Sequence, residues 1–427
     1  MLDLKFVREN KEAIEDTIRR QKKDALLDTL NELLVLDEEW RNNKQLVDSL
    51  RAERNKLSES INKAKKAGED IKPLIEKAKE LPTKVKKAEE EFTKIDEVVK
   101  SLLRKIPNVM HEGVPYGKDD SENVEVFSWG DKREPGFKVK NHVELCEDLG
   151  IADFEASANT SGNGFYFLKG DLALLNQALL NYATNKLVSK GYTYVEPPFM
   201  VRRHVLEAAM DAQGFQETIY TVGDEKDNLC LIGTAEHPIL GMHENTVFQE
   251  DELPKKYVGY SMCFRQEIGS HGINEKGLWR THQFNKIEQF VFCLPEQAWD
   301  LYDELLENSK EILQELELPY RVIEICTGDL ALWKVRSYDL EVWRPTTQSY
   351  GEVMSLSNCG VYQANDLGIR FVRKNTERGV VHTLNNTAVA TSRVLVAILE
   401  QYQNEDGTVN VPKVLQPYMG GKTIIKK

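Results

Sequence analysis

Two long stretches near the start of the chain carry apolar residues at alternating steps of three and four. The first seam runs Leu33, Leu36, Trp40, Asn43, Val47, Leu50, Arg54, Leu57, Ile61, Ala64, with only Asn43 and Arg54 polar. Gly68-Glu69-Asp70 supplies a turn, and a second seam returns through Leu74, Ala78, Leu81, Val85, Ala88, Phe92, Ile95, Val99, Leu102 and Ile106. This spacing predicts two helices packed as an antiparallel coiled-coil hairpin. About 34 residues per arm at 1.5 Å rise gives an arm of roughly 50 Å. Pro82 falls inside the second helix, where a missing N–H predicts a kink or a broken hydrogen bond, at about 3 kcal/mol.

Beyond the hairpin the pattern changes. Residues 107–140 are rich in Gly, Pro and acidic side chains and read as a linker. An apolar helix follows from Asp171, a candidate N-cap, to Lys190, with Gly191 as a candidate C-cap. Tyr192-Thr-Tyr-Val-Glu-Pro-Pro-Phe-Met then opens a run of strands. Residues 263–292 form the pattern of two antiparallel strands about a loop, Ile268 to Leu278, containing Gly, His and Lys. A charged amphipathic helix spans 295–318 and is structural, covering one face of a sheet. Strands follow at 321–325, 338–343 and 352–359, and a polar turn at 381–387 leads into an apolar helix carrying Arg393. The predicted organisation is α+β: a helical domain over 1–106, the linker over 107–140, and a sheet-based domain over 141–427.

Composition sharpens this picture. The 427 residues, 41% of them hydrophobic, suffice for two domains with a sizeable core. A net charge of -13 excludes a generic nucleic-acid coat, so any RNA contact must be local. The hairpin supplies that locality: residues 41–90 hold 14 Lys and Arg against 9 Asp and Glu, a surplus of +5. Its lysines cluster toward the tip and the returning helix, Lys63, Lys65, Lys66, Lys84, Lys86 and Lys87 among them. Such a face is either a solvated coiled-coil surface or a track for a phosphate backbone. The six cysteines lie far apart with no C-x-x-C pair, which predicts reduced thiols and a cytoplasmic location. Met1-Leu-Asp-Leu-Lys-Phe is charged at once and no long apolar run follows, so neither a signal peptide nor a membrane span is expected.

The chemistry concentrates in Cys263–Phe292. Arg265 and Arg280, with Glu267 and Glu288, would be presented from rigid strand positions. Two arginines on facing strands suit a triphosphate, because guanidinium forks pair bidentately with phosphate oxygens. A carboxylate among them suits an amino group. A surface hairpin with paired charges has the same bulk pattern.

The order of residues is more specific. Phe264-Arg265-Gln266-Glu267, then Arg280-Thr281-His282-Gln283-Phe284 and Asn285-Lys286-Ile287-Glu288, resembles motif 2 of class II aminoacyl-tRNA synthetases. It is most similar to the seryl-tRNA synthetases, where the strand closes as H-Q-F-x-K-x-E. Other stretches resemble the same family in the same order. The segment from Ile106 to Pro115 resembles I-P-N-x-x-H-x-x-V-P, and the helix, strand and Pro198 resemble motif 1, the dimer interface. Thr234-Ala235-Glu236 resembles the serine-binding loop. Glu352-Val353-Met354-Ser355-Leu-Ser-Asn-Cys resembles E-[IV]-x-S-x-S-N-C, and Arg393 the motif 3 arginine. The tail from Val411 to Gly421 resembles V-P-x-x-L-x-P-Y-M-G-G. The likeness covers essentially the whole chain.

This resemblance implies an antiparallel-sheet catalytic domain flanked by helices, preceded by an arm that grips serine tRNA through the six lysines named above. It implies a homodimer that joins serine to ATP as seryl-adenylate and passes the acyl group to the terminal adenosine of serine tRNA, with selenocysteine tRNA as a second acceptor; no DNA or membrane partner is implied. Arg265, Glu267 and Arg393 are implied as catalytic. Thr234, Ala235, Glu236, Arg265, Glu288 and Thr387 are implied for serine. For ATP the implied residues are Arg265, Gln266, Glu267, Arg280, Thr281, Phe284, Glu352, Val353, Met354, Ser355 and Arg393, with magnesium on Glu352 and Ser355. Little side-chain acid–base chemistry is needed, since orientation and cationic stabilisation carry such a reaction.

Two departures stand out. Motif 3 reads N-N-T-A-V-A-T-S-R, nearer archaeal and eukaryotic members than the bacterial N-G-S-G-x-A-x-x-R. Cys359-Gly-Val-Tyr-Gln-Ala-Asn-Asp replaces the usual C-T-D-[FY]-Q-A-R-R. Two other activities share the scaffold: a paralogue that binds RNA without charging it, and one that activates an amino acid for a carrier protein. Intact Arg265, Glu267, Glu288 and Arg393 weigh against the first, and the basic arm against the second.

Overall fold

The computed structural model describes residues 1–133, 135–210, 218–223, 228–267 and 276–427. Leu2–Pro107 forms one compact unit; Asn108–Lys427, with Met1, forms the other.

In the first unit, α1 (Ala25–Ala67) and α2 (Lys72–Leu103) form the helical hairpin. Gly68 ends α1 at φ +73, a left-handed value that only glycine adopts without strain, and its N–H caps the Ala64 carbonyl. The seam behaves as its period requires: Leu33, Val47, Ala64, Leu81, Val85, Ala88 and Val99 are buried. Near the base Trp40 packs on Phe92 at 5.7 Å between ring centroids and donates its indole N–H to Asp96 at 2.8 Å. Pro82 does not interrupt α2, contrary to the expectation from sequence. It lies on the exposed face between buried Leu81 and Val85, so the carbonyl it leaves unpaired can turn to water. Lys63, Lys65, Lys66, Lys84, Lys86 and Lys87 are all exposed.

The second unit is organised on an eight-stranded sheet. Its strands are β1 (Val124–Trp129), β2 (Thr193–Val195), β3 (Lys255–Phe264), β4 (Gln283–Cys293), β5 (Tyr320–Glu324), β6 (Arg336–Arg344), β7 (Ser349–Gly360) and β8 (His382–Ala390). The spatial order is β1-β5-β6-β7-β8-β4-β3-β2, antiparallel throughout except where β2 runs parallel to β3. The segment read as a linker thus contributes an edge strand. β1 is exposed along nearly its whole length and its apolar–polar alternation is broken by a bulge; Trp129 stacks on Tyr320 of its neighbour.

Helices α3 (Gly170–Ser189), α4 (Arg203–Ala209), α5 (Glu236–Met242), α6 (Ala298–Glu315), α7 (Tyr362–Asp366) and α8 (Thr391–Tyr402) pack around the sheet. The core joins Leu172, Leu175 and Leu179 of α3, Leu305 and Ile312 of α6, and Val394–Leu399 of α8 with the inward residues of the strands. All six cysteines are free and buried. Burial pushes the Cys146 and Cys293 thiols up to about 12. Among the described residues no helix is long and apolar enough to cross a membrane.

Candidate active site

Two bulges decide which side chains face the same side of the sheet. In β7 the register slips opposite Leu340/Glu341: Met354 pairs with Leu340, Glu352 with Glu341, and Val353 is skipped. A regular strand would put Glu352 and Met354 on one face. The extra residue instead brings Glu352, Ser355 and Ser357 to a common face and sends Met354 into the core, where it is 1% exposed. A second slip, between Ile287 and Glu288, sets Glu288 directly opposite Thr387 of β8.

The result is a cavity of about 560 Å³ over the middle of the sheet. Of the residues the sequence singled out, Thr234, Glu236, Arg265, Glu267, Arg280, Thr281, Phe284, Glu288, Glu352, Val353, Ser355, Thr387 and Arg393 all line it. Three do not. Met354 faces the core. Ala235 is buried against the sheet, so close to Gly259 that a Cβ there would lie 2.7 Å from its own. Gln266 turns away and donates its amide to the Ile219 carbonyl at 2.8 Å, anchoring the chain as it leaves β3. Of the loop read over Ile268–Leu278, residues 268–275 lie outside the described residues.

One end of the cavity is cationic and aromatic. The Arg265 guanidinium lies 5.4 Å from the centre of the Phe284 ring, and its backbone N–H donates to the His282 carbonyl at 3.0 Å. Arg280 pairs with Glu267 at 2.8 Å, and Glu267 adopts φ +53. Arg393, in the first turn of α8, donates to both the Glu352 carbonyl (2.9 Å) and its carboxylate (3.0 Å). A cation at that position opposes the helix dipole, so only anionic neighbours make it favourable. Trp279 lies beneath, its ring 4.1 Å from the Arg344 guanidinium and 5.5 Å from that of Arg393. Burial works against ionisation of Glu352, yet Arg393, Arg265 and Lys334 together hold its carboxyl below the ordinary value. Asp339, directly across the ladder from Ser355, is pushed up to about 7 by burial and by the neighbouring Glu352 charge.

The other end is buried and carboxylate-lined. Lys286 Nζ lies 2.5 Å from Glu288 Oε2, the side chains 7% and 1% exposed. The Thr234 hydroxyl donates to the same oxygen at 3.3 Å. Glu236 receives the Asn385 amide at 3.2 Å and that of Gln363 on its Oε1. Burial, then the Glu288 charge, pushes Glu236 up to about 7. Burial, with Lys286 and Arg265 nearby, takes His237 down to about 3, so it is neutral.

Lys286, Lys334, Asp339, Gln363, Asn385 and Trp279 were not singled out from sequence. Three had a signal. Lys286 lies between Phe284 and Glu288 at strand period, and Asn385 two residues before Thr387. Gln363 also falls on the glutamine shared with C-T-D-[FY]-Q-A-R-R, whereas Lys334, Asp339 and Trp279 arrive from separate elements and carry no local mark.

Among the described residues no cluster of three or more His, Cys, Asp or Glu is disposed to hold a metal. Glu352 still offers hard oxygen atoms at the cationic end, and Asp339, whose Oδ1 meets no donor, lies across the ladder from Ser355. That donor set fits a magnesium ion that keeps waters and binds largely through phosphate oxygens.

Known proteins resemble this chain along its whole length. Residues 1–110 match the seryl-tRNA synthetase N-terminal domain, and residues 220–402 the class II tRNA synthetase core domain of the G, H, P, S and T group. The chain is 46% identical over 427 residues to a serine–tRNA ligase of Methanospirillum hungatei, covering 100% of both. The crystal structure of the Pyrococcus horikoshii seryl-tRNA synthetase complexed with ATP superposes with a TM-score of 0.87 at 41% identity, covering 100% of this chain and 99% of that one. The cytoplasmic serine–tRNA ligase of Naegleria fowleri in complex with AMP gives 0.83 at 35% identity, covering 100% and 99%.

Proposed function

Because the chain belongs to the seryl-tRNA synthetase family, we propose that its cavity condenses L-serine with ATP to seryl-adenylate and pyrophosphate, then transfers serine to serine tRNA. The observation that carries this reading is the convergence in one cavity of Arg265, Arg280, Phe284, Glu352 and Arg393 with Thr234, Glu236, Glu288 and Thr387.

In this reading Phe284 stacks on adenine, Arg265 and Arg393 bind phosphates, and Arg280 flanks the nucleotide. The serine ammonium pairs with Glu236, and its hydroxyl hydrogen-bonds to Glu288 and Thr387. The serine carboxylate attacks the α-phosphorus in line, the P–O bond to pyrophosphate breaks, and Arg265 meets the negative charge that develops. Glu352, Asp339 and Ser355 would hold magnesium, which supplies further charge neutralisation to the phosphates when bound. Alanine would leave Glu288 without its hydroxyl partner, and a buried polar group left unpaired discriminates far better than an apolar pocket.

The tRNA is proposed to lie along the exposed lysines of α1 and α2, whose local surplus of positive charge suits a phosphate backbone. Residues 1–106 then form the tRNA-binding domain and 141–427 the catalytic one. A homodimer is proposed through α3 and β2, where Leu174, Val188 and Tyr194 are exposed apolar residues. Free, buried thiols support a cytoplasmic location. ATP–pyrophosphate exchange dependent on serine tests the first step, and charging of serine tRNA, with selenocysteine tRNA in parallel, tests the second. No exchange with serine would overturn the reading.

A further inference from the structure

Gln363, on α7, belongs to none of the stretches assigned a ligand above, yet it is fully buried and fully hydrogen-bonded. Its Oε1 accepts from the Thr383 hydroxyl at 2.7 Å. Its Nε2 donates to the Ala209 carbonyl at the end of α4, at 2.8 Å, and to Glu236 Oε1. A backbone carbonyl can only accept, so the amide end must face Ala209 and Glu236, and the oxygen must face Thr383. The orientation is therefore fixed by three separate elements. Asn385 reaches the same Glu236 oxygen at 3.2 Å. With both amides on Oε1, Oε2 is the oxygen left to a ligand in the cavity.

We propose that Gln363 is a positioning residue for amino-acid recognition: it holds Glu236 in the one rotamer and charge state that presents Oε2 to the substrate ammonium. The inference rests on the reading of Glu236 given above. A carboxylate at a fully buried position is otherwise costly to ionise, and hydrogen bonds to the charged form offset that cost. Burial raises Glu236 and the Glu288 charge adds to it, while the Gln363 donor and the Lys286 and Lys334 charges act in the opposite sense. Gln363 thus couples the geometry of the contact to its ionisation.

The test is ATP–pyrophosphate exchange by the full-length enzyme across a pH series. In Gln363→Leu the serine KM should rise roughly ten- to hundredfold, the effect of one hydrogen bond to a charged group, while the ATP KM stays within about twofold. The acidic limb of kcat/KM for serine should move to higher pH, because the ionised form of Glu236 loses a donor that stabilises it. Thr383→Val removes only the hydroxyl that fixes Gln363 Oε1, so it should shift both quantities in the same direction by a smaller amount, and it serves should Gln363→Leu not fold. An unchanged serine KM and an unmoved limb in either folded variant would overturn the proposal. So would a parallel rise in both KM values. Glu236→Gln separates the two layers: if it leaves the serine KM unchanged, the reading of Glu236 itself fails. If it raises the serine KM while Gln363→Leu does not, only the positioning role fails.

Discussion

Lys286→Met addresses the most deeply buried charge pair of the cavity. Lys286 Nζ and Glu288 Oε2 are 2.5 Å apart with side chains 7% and 1% exposed. Removing the ammonium leaves Glu288 the weak hydrogen bond from the Thr234 hydroxyl at 3.3 Å, which falls far short of the lost cation. Breaking a buried pair from one side costs about 3–5 kcal/mol. The unit from Asn108 to Lys427 has roughly 320 residues, and unfolding entropy near 2.1 cal/mol/K per residue gives about 0.7 kcal/mol/K. The ligand-free melting temperature should therefore fall by about 4–8 °C. Adding Glu288→Gln removes the stranded charge, so the double variant should regain most of that loss, since neutral replacements of buried pairs are often tolerated. Its serine-dependent exchange should stay depressed by at least about tenfold, because the acceptor for the substrate hydroxyl has lost its charge. Circular dichroism melts and exchange kinetics on the three variants read both quantities. A double variant no more stable than Lys286→Met, or a single variant within about 1 °C of wild type, would refute the reasoning.

Arg265→Ala should abolish adenylate formation, by about 10²-fold or more in exchange rate, with an unchanged melting curve and dimer by sedimentation. Replacing residues 41–98 with a short Gly-Ser link should keep exchange nearly unchanged while charging of serine tRNA falls steeply; full-length binding should weaken with salt, about one unit of log–log slope per phosphate contact. Glu236 is pushed up to about 7, so it is ionised above that pH and protonated below. The serine KM should accordingly rise as pH falls through about 7, measured by exchange at saturating ATP. In Gly351→Ala the added Cβ would lie 2.4 Å from Trp279, so the indole beneath Arg393 must shift; the ATP KM should rise several-fold with the serine KM little affected.

Much of this arrangement was legible in the sequence because it rests on local order. A 3.5-residue period needs no distant partner, and Leu33, Val47, Leu81 and Val85 are buried where the seam puts them. The hairpin and its arginines were visible because β3 and β4 pair directly, Phe264 facing Gln283. What depended on tertiary context was not. Met354 was included with its neighbours Glu352, Val353 and Ser355 because the family resemblance covers the whole stretch, and the bulge at Val353 turns its side chain into the core. β1 finds its place through a partner some two hundred residues away, and its short alternation, Val124-Glu-Val and Phe127-Ser-Trp, is broken by a bulge. Gln363 and Asp339 stand behind the cavity, against Glu236 and across the ladder from Ser355, and only long-range packing brings them there. The helix runs on through Pro82 because the residue lies on the solvent side of the pair, where water can reach the free carbonyl.

The six buried cysteines have a practical side. Thiol reagents act on the exposed thiolate, and here every sulfur is enclosed, with those of Cys146 and Cys293 held protonated well beyond neutral pH. The folded chain therefore behaves toward maleimides almost as if it had no cysteine. A single cysteine placed at Glu69, exposed in the turn between α1 and α2, would give one addressable point at the far end of the hairpin. A fluorophore there would report the approach of an RNA without any background from the native thiols.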